Sequence, residues 1–197
     1  DGNALLYVLD HGGAATGTAS DINLCRTPLN LYEYFIIGTE TITGFVASTD
    51  GMDIVLDNGD TGSEGCEISW GITSNSPMLF TVGTDACFVK LKFKVTDVSG
   101  LTQFQVGFRK AQAYQATFAD YTDYATLGWD ASANPVVIDS MTQLNDAGTT
   151  TATSTGVTLA DATTITLEVR VKKNGVVQYF VNGVLKEPAA FTFDSAD

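Results

Sequence analysis

Histidine supports much of the acid–base and nucleophilic chemistry that proteins perform near neutral pH, and this chain of 197 residues contains one, His11. A serine or cysteine nucleophile needs a base held rigidly beside it, yet His11 lies in the glycine-rich stretch at 11–17. A lone histidine also cannot build a His-rich metal centre. We therefore predict that the chain has neither a catalytic triad nor a histidine-based metal site.

Carboxylates are the next candidates, because glycoside hydrolases work with a pair of them. Sandwich-fold glycosidases carry these acids two or four residues apart on one inward-facing strand, and no such set occurs here. The densest acidic cluster comprises Asp50, Asp53, Asp57, Asp60 and Glu64. It is interrupted by glycines and lacks the spacing of an EF-hand, so we favour solvated turn carboxylates over a loose calcium site. We predict no catalytic, cofactor or metal residues, and no enzyme activity.

The three cysteines, Cys25, Cys66 and Cys87, contain no C-x-x-C pair, which excludes a zinc ribbon or a thioredoxin-like motif. The alternatives are a Cys66–Cys87 disulfide, or three reduced side chains in a reducing cytoplasm. We favour the reduced state.

Aromatic and basic side chains offer two further candidates for binding. Tyr121, Tyr124, Trp129 and Trp70 could stack on a sugar, although aromatic residues in this context are more typical of core packing. The stripe Lys90, Lys92 and Lys94 could contact an acidic partner, but a solvated strand face is the ordinary interpretation.

The overall charge narrows the range of partners. Ten basic residues against 23 acidic ones give a formal net charge of −13, which disfavours nucleic acid unless the basic residues cluster. The early apolar run 4–9 is too short to span a membrane, so we predict no membrane partner either. With 44% apolar residues the chain can bury a substantial core.

Two-residue periodicity dominates the chain from about residue 35. It is clearest at 88–96, where Val89, Leu91, Phe93 and Val95 alternate with the three lysines. Further strands are predicted at 103–109, 124–129 and 136–138. A hairpin follows at 165–181, with type I′ turns expected at Asn174-Gly175 and Asn182-Gly183.

The spacing of these elements predicts an all-β, antiparallel two-sheet sandwich or jelly roll. We assign 1–34 to an N-terminal arm and 35–197 to the sandwich, and we interpret the Thr-rich segment 149–158 as a loop. The segment 111–123 is either one short helix, with Tyr114, Phe118 and Tyr121 on one face, or an irregular loop pinned by its aromatic residues.

Several segments carry a resemblance to known proteins. The order of 88–95, the Val106-Gly107-Phe108 strand and the late hairpin ending at Asn182-Gly183 resembles the concanavalin-A-like, laminin-G-like jelly roll. Residues 106–111, 114–116 and 120–125 are similar to virion-associated proteins of tailed, often marine, bacteriophages. The resemblance covers roughly residues 65–195 and implies structural rather than catalytic residues.

Two departures from that family are visible. Such sandwiches usually continue past 191–194 into one more apolar strand, so we expect this domain to lack its last strand, or to be completed by the arm or by another subunit. The acidic and Asn metal ligands of the carbohydrate-binding members have no clear counterpart here, so lectin activity is not carried over.

The resemblance implies a structural virion protein, most specifically a capsid-decorating or other exterior head protein of a tailed bacteriophage. Such a protein is made in the host bacterial cytoplasm and resides in the virion. Its expected partners are the major capsid protein or other virion subunits, and we expect a homo-oligomer acting on a repeated lattice. The alternative is a carbohydrate-binding or adhesion module with a surface glycan as ligand. A glycan-cleaving enzyme is a third class, disfavoured by the missing acid pair.

Overall fold

The structure is a computed structural model, and it describes residues 15–16, 22–25, 32–37, 41–42, 45–48, 51–54, 65–69, 80–145 and 150–194. The chain divides into two compact units. One is formed by Asp1–Leu79 with Ala111–Thr117, and the other by Phe80–Lys110 with Phe118–Asp197. The arm boundary at residue 34 stays a prediction.

The first unit consists of short antiparallel strands. They are β1 (Ala15–Thr16), β2 (Ile22–Cys25), β3 (Tyr32–Ile37), β4 (Thr41–Ile42), β5 (Phe45–Ser48), β6 (Gly51–Ile54) and β7 (Gly65–Ser69). Strand β1 pairs with β4, β5 with β6, and β3 lies between β2 and β7. The Ser69 and Tyr114 hydroxyl oxygens are 2.8 Å apart and share a hydrogen bond.

The second unit is a sandwich of two four-stranded antiparallel sheets, which confirms the predicted fold class. Sheet I has the order β12-β11-β10-β9, with β9 (Gln103–Arg109), β10 (Tyr124–Asp130), β11 (Val136–Gln143) and β12 (Thr151–Leu159). Sheet II has the order β15-β14-β13-β8, with β8 (Cys87–Lys94), β13 (Thr164–Val171), β14 (Val177–Val181) and β15 (Val184–Lys186).

The core lies between these two sheets, where β13 faces β9 and β10. It is built from alternate residues of each strand, because successive side chains of a strand point to opposite faces. An aromatic stack joins the sheets. The ring centres of Phe93 on β8 and Phe104 on β9 are 4.5 Å apart, and those of Phe104 and Trp129 on β10 are 4.8 Å apart. The Trp129 indole N–H donates to the Leu101 carbonyl at 3.0 Å. Buried members include Val106, Leu127, Ile138, Leu159, Ile165, Leu167, Val169, Val171, Tyr179 and Val181.

Glycine allows the backbones of β9 and β10 to approach closely. A Cβ atom placed on Gly128 would lie 1.7 Å from the Phe104 carbonyl oxygen, which no side chain tolerates. Gly107 on β9 is also constrained, since a Cβ there would lie 2.2 Å from the Ala125 carbonyl oxygen. The Val106-Gly107-Phe108 segment therefore has a packing requirement in this sheet.

The late hairpin forms with one turn of the expected type and one that differs. Asn182 and Gly183 both have positive φ, at 51° and 78°, as a type I′ turn requires. In the other turn only Gly175 has positive φ, at 81°, and its N–H donates to the Lys172 carbonyl at 2.8 Å. That geometry matches a longer loop with glycine in the left-handed position, so the type I′ prediction for Asn174-Gly175 is wrong.

Residues beyond β15 return to β14. The Val177 N–H donates to the Phe191 carbonyl and the Phe193 N–H to the Gly175 carbonyl, both at 3.0 Å. Phe193 is buried in the core, and Phe191 packs against it. The segment 191–193 thus covers the part of β14 that β15 does not reach.

The structure corrects one further prediction and decides between two alternatives. The Thr-rich segment forms β12 rather than a loop, because β-branched threonine favours extended backbone and the segment pairs antiparallel with β11. The helix suggested for 111–123 does not form: Phe118–Asp120 make a single 3-10 turn. Phe118 and Tyr121 instead pack on Tyr124 and Met141, as the loop alternative expected.

Candidate interaction surfaces

The outward side of sheet II is the first candidate surface. Val89 pairs with Val169 and Phe93 with Ile165 on the core side, so the even-numbered residues of β8 and β13 point outward. Leu91 also takes a core-side position opposite Leu167, but it is 37% exposed because β8 is an edge strand. We call the outward surface the basic face, defined by Phe88, Lys90, Lys92, Lys94, Arg170 and Phe180.

A buried carboxylate organises the centre of the basic face. Glu168 is 4% exposed although it points away from the core. Lys90 lies opposite it on β8, with 3.5 Å between Nζ and Oε2, and the Arg170 Nε–H donates to its other oxygen, Oε1. The two cations compensate the negative charge of this buried carboxylate. In return, Glu168 fixes the positions of the Lys90 and Arg170 side chains on the outward side of the sheet.

Aromatic rings flank this ion cluster. The Arg170 guanidinium carbon lies 4.3 Å from the centre of the Phe180 ring, a cation–π distance. Phe88 pairs with Arg170 across the strands and is 65% exposed, the largest exposed fraction among the large apolar side chains described. Leu185, opposite Phe180 on β15, is 42% exposed. The basic face therefore combines half-exposed cations with an open ring.

The second candidate surface is the outer edge of sheet I. Strand β12 pairs only with β11 among the described strands, and it carries no charged residue over its nine positions. A bulge interrupts it: Ile138 pairs with Val157 and Asp139 with Ser154, which leaves Thr155 and Gly156 between them. We call the straight part, Thr151–Ser154, the open edge; Thr151, Ala152 and Ser154 are exposed in it.

The outward side of sheet I is largely closed by side chains. Tyr124, Thr126, Met141 and Gln143 point outward yet are each less than 5% exposed. The Gln143 amide donates to the Tyr121 carbonyl at 2.9 Å, and the Thr126 hydroxyl donates to the Gln105 side-chain oxygen at 2.7 Å. Hydrogen-bonded polar groups packed in this way support the sheet but leave little surface for a ligand.

Asp139 is the exception on that side. It is half-buried on β11 opposite Ser154, and its Oδ1 is buried with no hydrogen-bond partner among the described residues. Burial raises the pKa of its carboxyl above the ordinary aspartate value, because the charged form loses solvation.

The aromatic residues proposed for sugar stacking are not available for it. Tyr121, Tyr124 and Trp129 are at most 1% exposed, as the core-packing interpretation expected. The Arg109 guanidinium covers the Tyr121 ring at 4.4 Å from its centre. Trp70 lies outside the described residues.

The other candidate residues give limited information. No bond joins Cys66 and Cys87, and both are half-buried thiols; burial raises the pKa of Cys87. The side chains of Cys25 and Asp53 are not described, and neither are the other acids of the cluster, Asp50, Asp57, Asp60 and Glu64, or His11. Within the described residues no three His, Cys, Asp or Glu side chains gather as a metal site would need. No helix in that same part of the chain is long and apolar enough to cross a membrane.

Sequence reasoning identified the lysine stripe but missed its partners. Phe88 was not assigned to either side of the strand, although its even number places it with the lysines on the solvent-exposed side. Because alternate residues of a strand face opposite sides, the sequence alone was enough to place Phe88 on the side of the lysines. The position of Arg170 beside it depends on the register between β8 and β13, for which the sequence contains no direct signal.

No family model matches this chain, and neither a curated protein nor a solved structure is similar to it at a meaningful level.

Proposed function

We propose that this chain is a structural protein of a virus particle, a capsid-decorating or other exterior head protein of a tailed bacteriophage, with a concanavalin-A-like jelly roll. It acts by assembly rather than by catalysis. Its partners are the major capsid protein or other virion subunits together with further copies of itself, and it resides in the virion after synthesis in the host cytoplasm.

The open edge is the observation that carries the proposal. Edge strands present unpaired backbone groups, and proteins usually protect them with charges, proline or very short strands. Residues Thr151–Ser154 include no charge and no proline, and three of the four are exposed. Backbone pairing with a strand of a neighbouring subunit would satisfy these groups and repeat at every lattice position.

The packed sandwich supports the same function. The core joins both sheets through the stack of Phe93, Phe104 and Trp129, which makes the unit a rigid body. A rigid body with a pairing-competent edge suits a protein that must bind the same geometry many times. Flexible parts would lose ordering entropy at each contact.

The composition of purified particles tests the proposal. Virions from the source of the sequence should contain the chain in a multiple of their symmetry when analysed by quantitative mass spectrometry. Immunogold electron microscopy with antibodies against the second unit should label the outside of the head. Particles that lack the chain would contradict the proposal.

The alternative is a carbohydrate-binding module. The aromatic residues first considered for stacking on a sugar cannot serve in it, since Tyr121 and Trp129 are buried. A glycan array with the whole chain separates the two functions. A defined sugar bound with high affinity, together with absence from particles, would favour the module.

A further inference from the structure

Asparagine is followed directly by glycine at 58–59, 174–175 and 182–183. The side-chain carbon of asparagine can react with the backbone nitrogen of the next residue, which closes a cyclic succinimide. Glycine has no Cβ to obstruct this approach, so Asn-Gly steps are the sequences in which the reaction meets the least steric hindrance. Asn58 lies outside the described residues, and the structure therefore allows Asn174 and Asn182 to be compared.

The fold holds the Asn182 side chain against the neighbouring strand β13. The Thr166 N–H donates to the Asn182 Oδ1 at 2.9 Å, and the Asn182 N–H donates to the Thr166 carbonyl at 2.8 Å. The chain then turns the other way, because β15 pairs with the opposite side of β14. The carboxamide of Asn182 and the backbone nitrogen of Gly183 are thus directed towards different neighbours of β14.

The Asn174 side chain is folded back along its own chain instead. Its Oδ1 accepts a hydrogen bond from the Val176 N–H at 3.4 Å, which keeps the carboxamide beside the intervening Gly175. This hydrogen bond is longer than the one to Asn182 and restrains the side chain less. The same N–H stabilises negative charge on Oδ1 when a nitrogen attacks the carbon, as a donor in an oxyanion hole does.

The two asparagines also differ in what must move before the ring can close. The Gly175 N–H donates to the Lys172 carbonyl at 2.8 Å, so this turn has to open. Asn174 is exposed, and local opening of an exposed turn costs far less than global unfolding. At Asn182 the side chain has to leave β13 and cross β14 as well, which breaks its hydrogen bond to Thr166.

Gly175 connects the first of these turns to the core. Its carbonyl accepts from the Phe193 N–H at 3.0 Å, and a Cβ placed on Gly175 would lie 2.2 Å from the Phe193 carbonyl oxygen. Phe193 is itself buried in the core. A change in the backbone at Asn174 therefore reaches the segment 191–193, which covers part of β14.

We propose that Asn174 is a site of spontaneous deamidation and that the fold protects Asn182 from the same reaction. The Gly175 nitrogen gives its proton to hydroxide and attacks the Asn174 Cγ, the bond from Cγ to the amide nitrogen breaks, and that nitrogen takes a proton from water and leaves as ammonia. Water then opens the ring at either carbonyl carbon, which yields aspartate or isoaspartate. This modification goes beyond the proposed virion role and does not depend on it.

The isoaspartate product changes the structure most. Its main chain runs through Cβ and Cγ, so the turn gains one backbone carbon between Asn174 and Gly175. Because Gly175 fits closely against Phe193, the longer turn cannot keep both the Lys172 and the Phe193 hydrogen bonds in their present geometry. The segment 191–193 should therefore be held less firmly in the modified protein.

Ageing of the whole chain in mildly alkaline buffer tests the proposal. Cleavage after Arg170 by an arginine-specific protease leaves both asparagines in one peptide, so tandem mass spectrometry compares them within the same molecule. Asn174 should convert at least about tenfold faster than Asn182, because only Asn174 has its carboxamide beside the attacking nitrogen. The rate should rise with pH, and in urea that unfolds the chain the two asparagines should convert at similar rates.

Two matched variants separate the site from the rest of the chain. Glutamine keeps the amide but closes its larger ring much more slowly. N174Q should thus remove the fast conversion, whereas N182Q should leave Asn174 converting at the wild-type rate. Hydrogen–deuterium exchange at the Phe193 amide should become faster in aged wild type and stay unchanged in aged N174Q. Far-UV circular dichroism confirms that both variants fold.

Three results would overturn the proposed site. They are equal conversion of the two asparagines in folded protein, faster conversion of Asn182, or conversion of Asn174 only in urea. Unchanged exchange at Phe193 in the modified protein would refute the connection to the segment 191–193. None of these results alters the composition of purified particles, so this inference and the virion role can fail separately.

Discussion

Two edge strands of the sandwich have similar lengths and opposite surfaces. Strand β8 closes one side of sheet II over eight residues, and β12 closes one side of sheet I over nine. Each has one neighbour in its sheet among the described strands. Strand β8 carries three lysines, whereas β12 is made of threonine, serine and small or apolar residues without a charge.

The two edge strands differ in whether their side chains oppose pairing with a further strand. A second strand added antiparallel to β8 from another copy would bring lysines opposite lysines, which is unfavourable. The open edge of β12 has no such barrier, and only the bulge at Thr155-Gly156 limits its length. One fold thus presents an edge with three lysines that oppose the addition of a strand and an edge without a charge. The lysines that protect β8 also supply the cations of the basic face.

Strands β8 and β12 both belong to sheets that pack on one shared core. The largest predicted effect, a loss of unfolding free energy, tests whether the two sheets share that core. Replacing Trp129 by Ala removes a 1% exposed indole that stacks on Phe104 and donates to Leu101. The cost should be about 3–5 kcal/mol of unfolding free energy. Urea unfolding followed by far-UV circular dichroism measures it. A loss below about 1 kcal/mol would contradict a core shared by the two sheets, and W129F serves as the conservative control.

Charging the open edge should abolish its ability to pair. The change A152K/S154K places two lysines at exposed positions of β12, in the pattern that β8 already has. Self-association measured by sedimentation velocity should weaken at least about tenfold, a loss of about 1.4 kcal/mol. The control A189K/A190K adds the same charge on an exposed loop and should associate as wild type does. Equal weakening in both variants would show that net charge alone matters.

The reverse change should make β8 resemble β12. In K92T/K94T the strand keeps its β propensity but loses two charges that oppose pairing. We expect association stronger than wild type by about threefold, because Lys90 and its contact with Glu168 remain. The control K173T/K186T changes charge equally away from the strand. Unchanged association in K92T/K94T would mean that the lysines do not protect this edge.

The smallest effect concerns the carboxylate beside the open edge. Because burial raises the folded-state pKa of Asp139, the wild type loses stability as pH rises from the ordinary aspartate range, near 4, through that raised pKa. The D139N protein lacks this titration. It should be slightly more stable than wild type at pH 7, and the difference should shrink towards pH 3.5.

Urea midpoints at several pH values measure the effect of D139N, with D130N at the exposed end of β10 as the control. Parallel pH profiles for wild type and D139N would contradict the account of Asp139.

Local patterns predicted much of the sandwich. The alternation of Val89, Phe93 and Val95 with lysines gave the strand and its buried side, and Asn182-Gly183 gave a hairpin turn. These features depend on neighbours in sequence, where side-chain direction and turn geometry are set. Strand β12 was not predicted, because hydroxyl-rich segments resemble loops in composition. Its pairing with β11 in the structure is what identifies it as a strand.

The candidate surfaces depend on distant pairings, which explains why they were harder to predict. Glu168 lies beside Lys90 only because β13 and β8 pair in a particular register. Trp129 and Tyr121 were candidates for sugar contact, but whether an aromatic residue is buried or open depends on which sheet covers it. Phe88 is open because it points outward from the edge strand of sheet II.

Hydrogen–deuterium exchange of the two edges, compared between dilute and assembled protein, tests the central claim most directly. Backbone amides of Thr151–Ser154 should become protected on assembly, since a neighbouring strand would then pair with them. Amides of β8 should exchange at the same rate in both states. Protection on β8, or none on Thr151–Ser154, would contradict the assignment of β12 as the assembly edge.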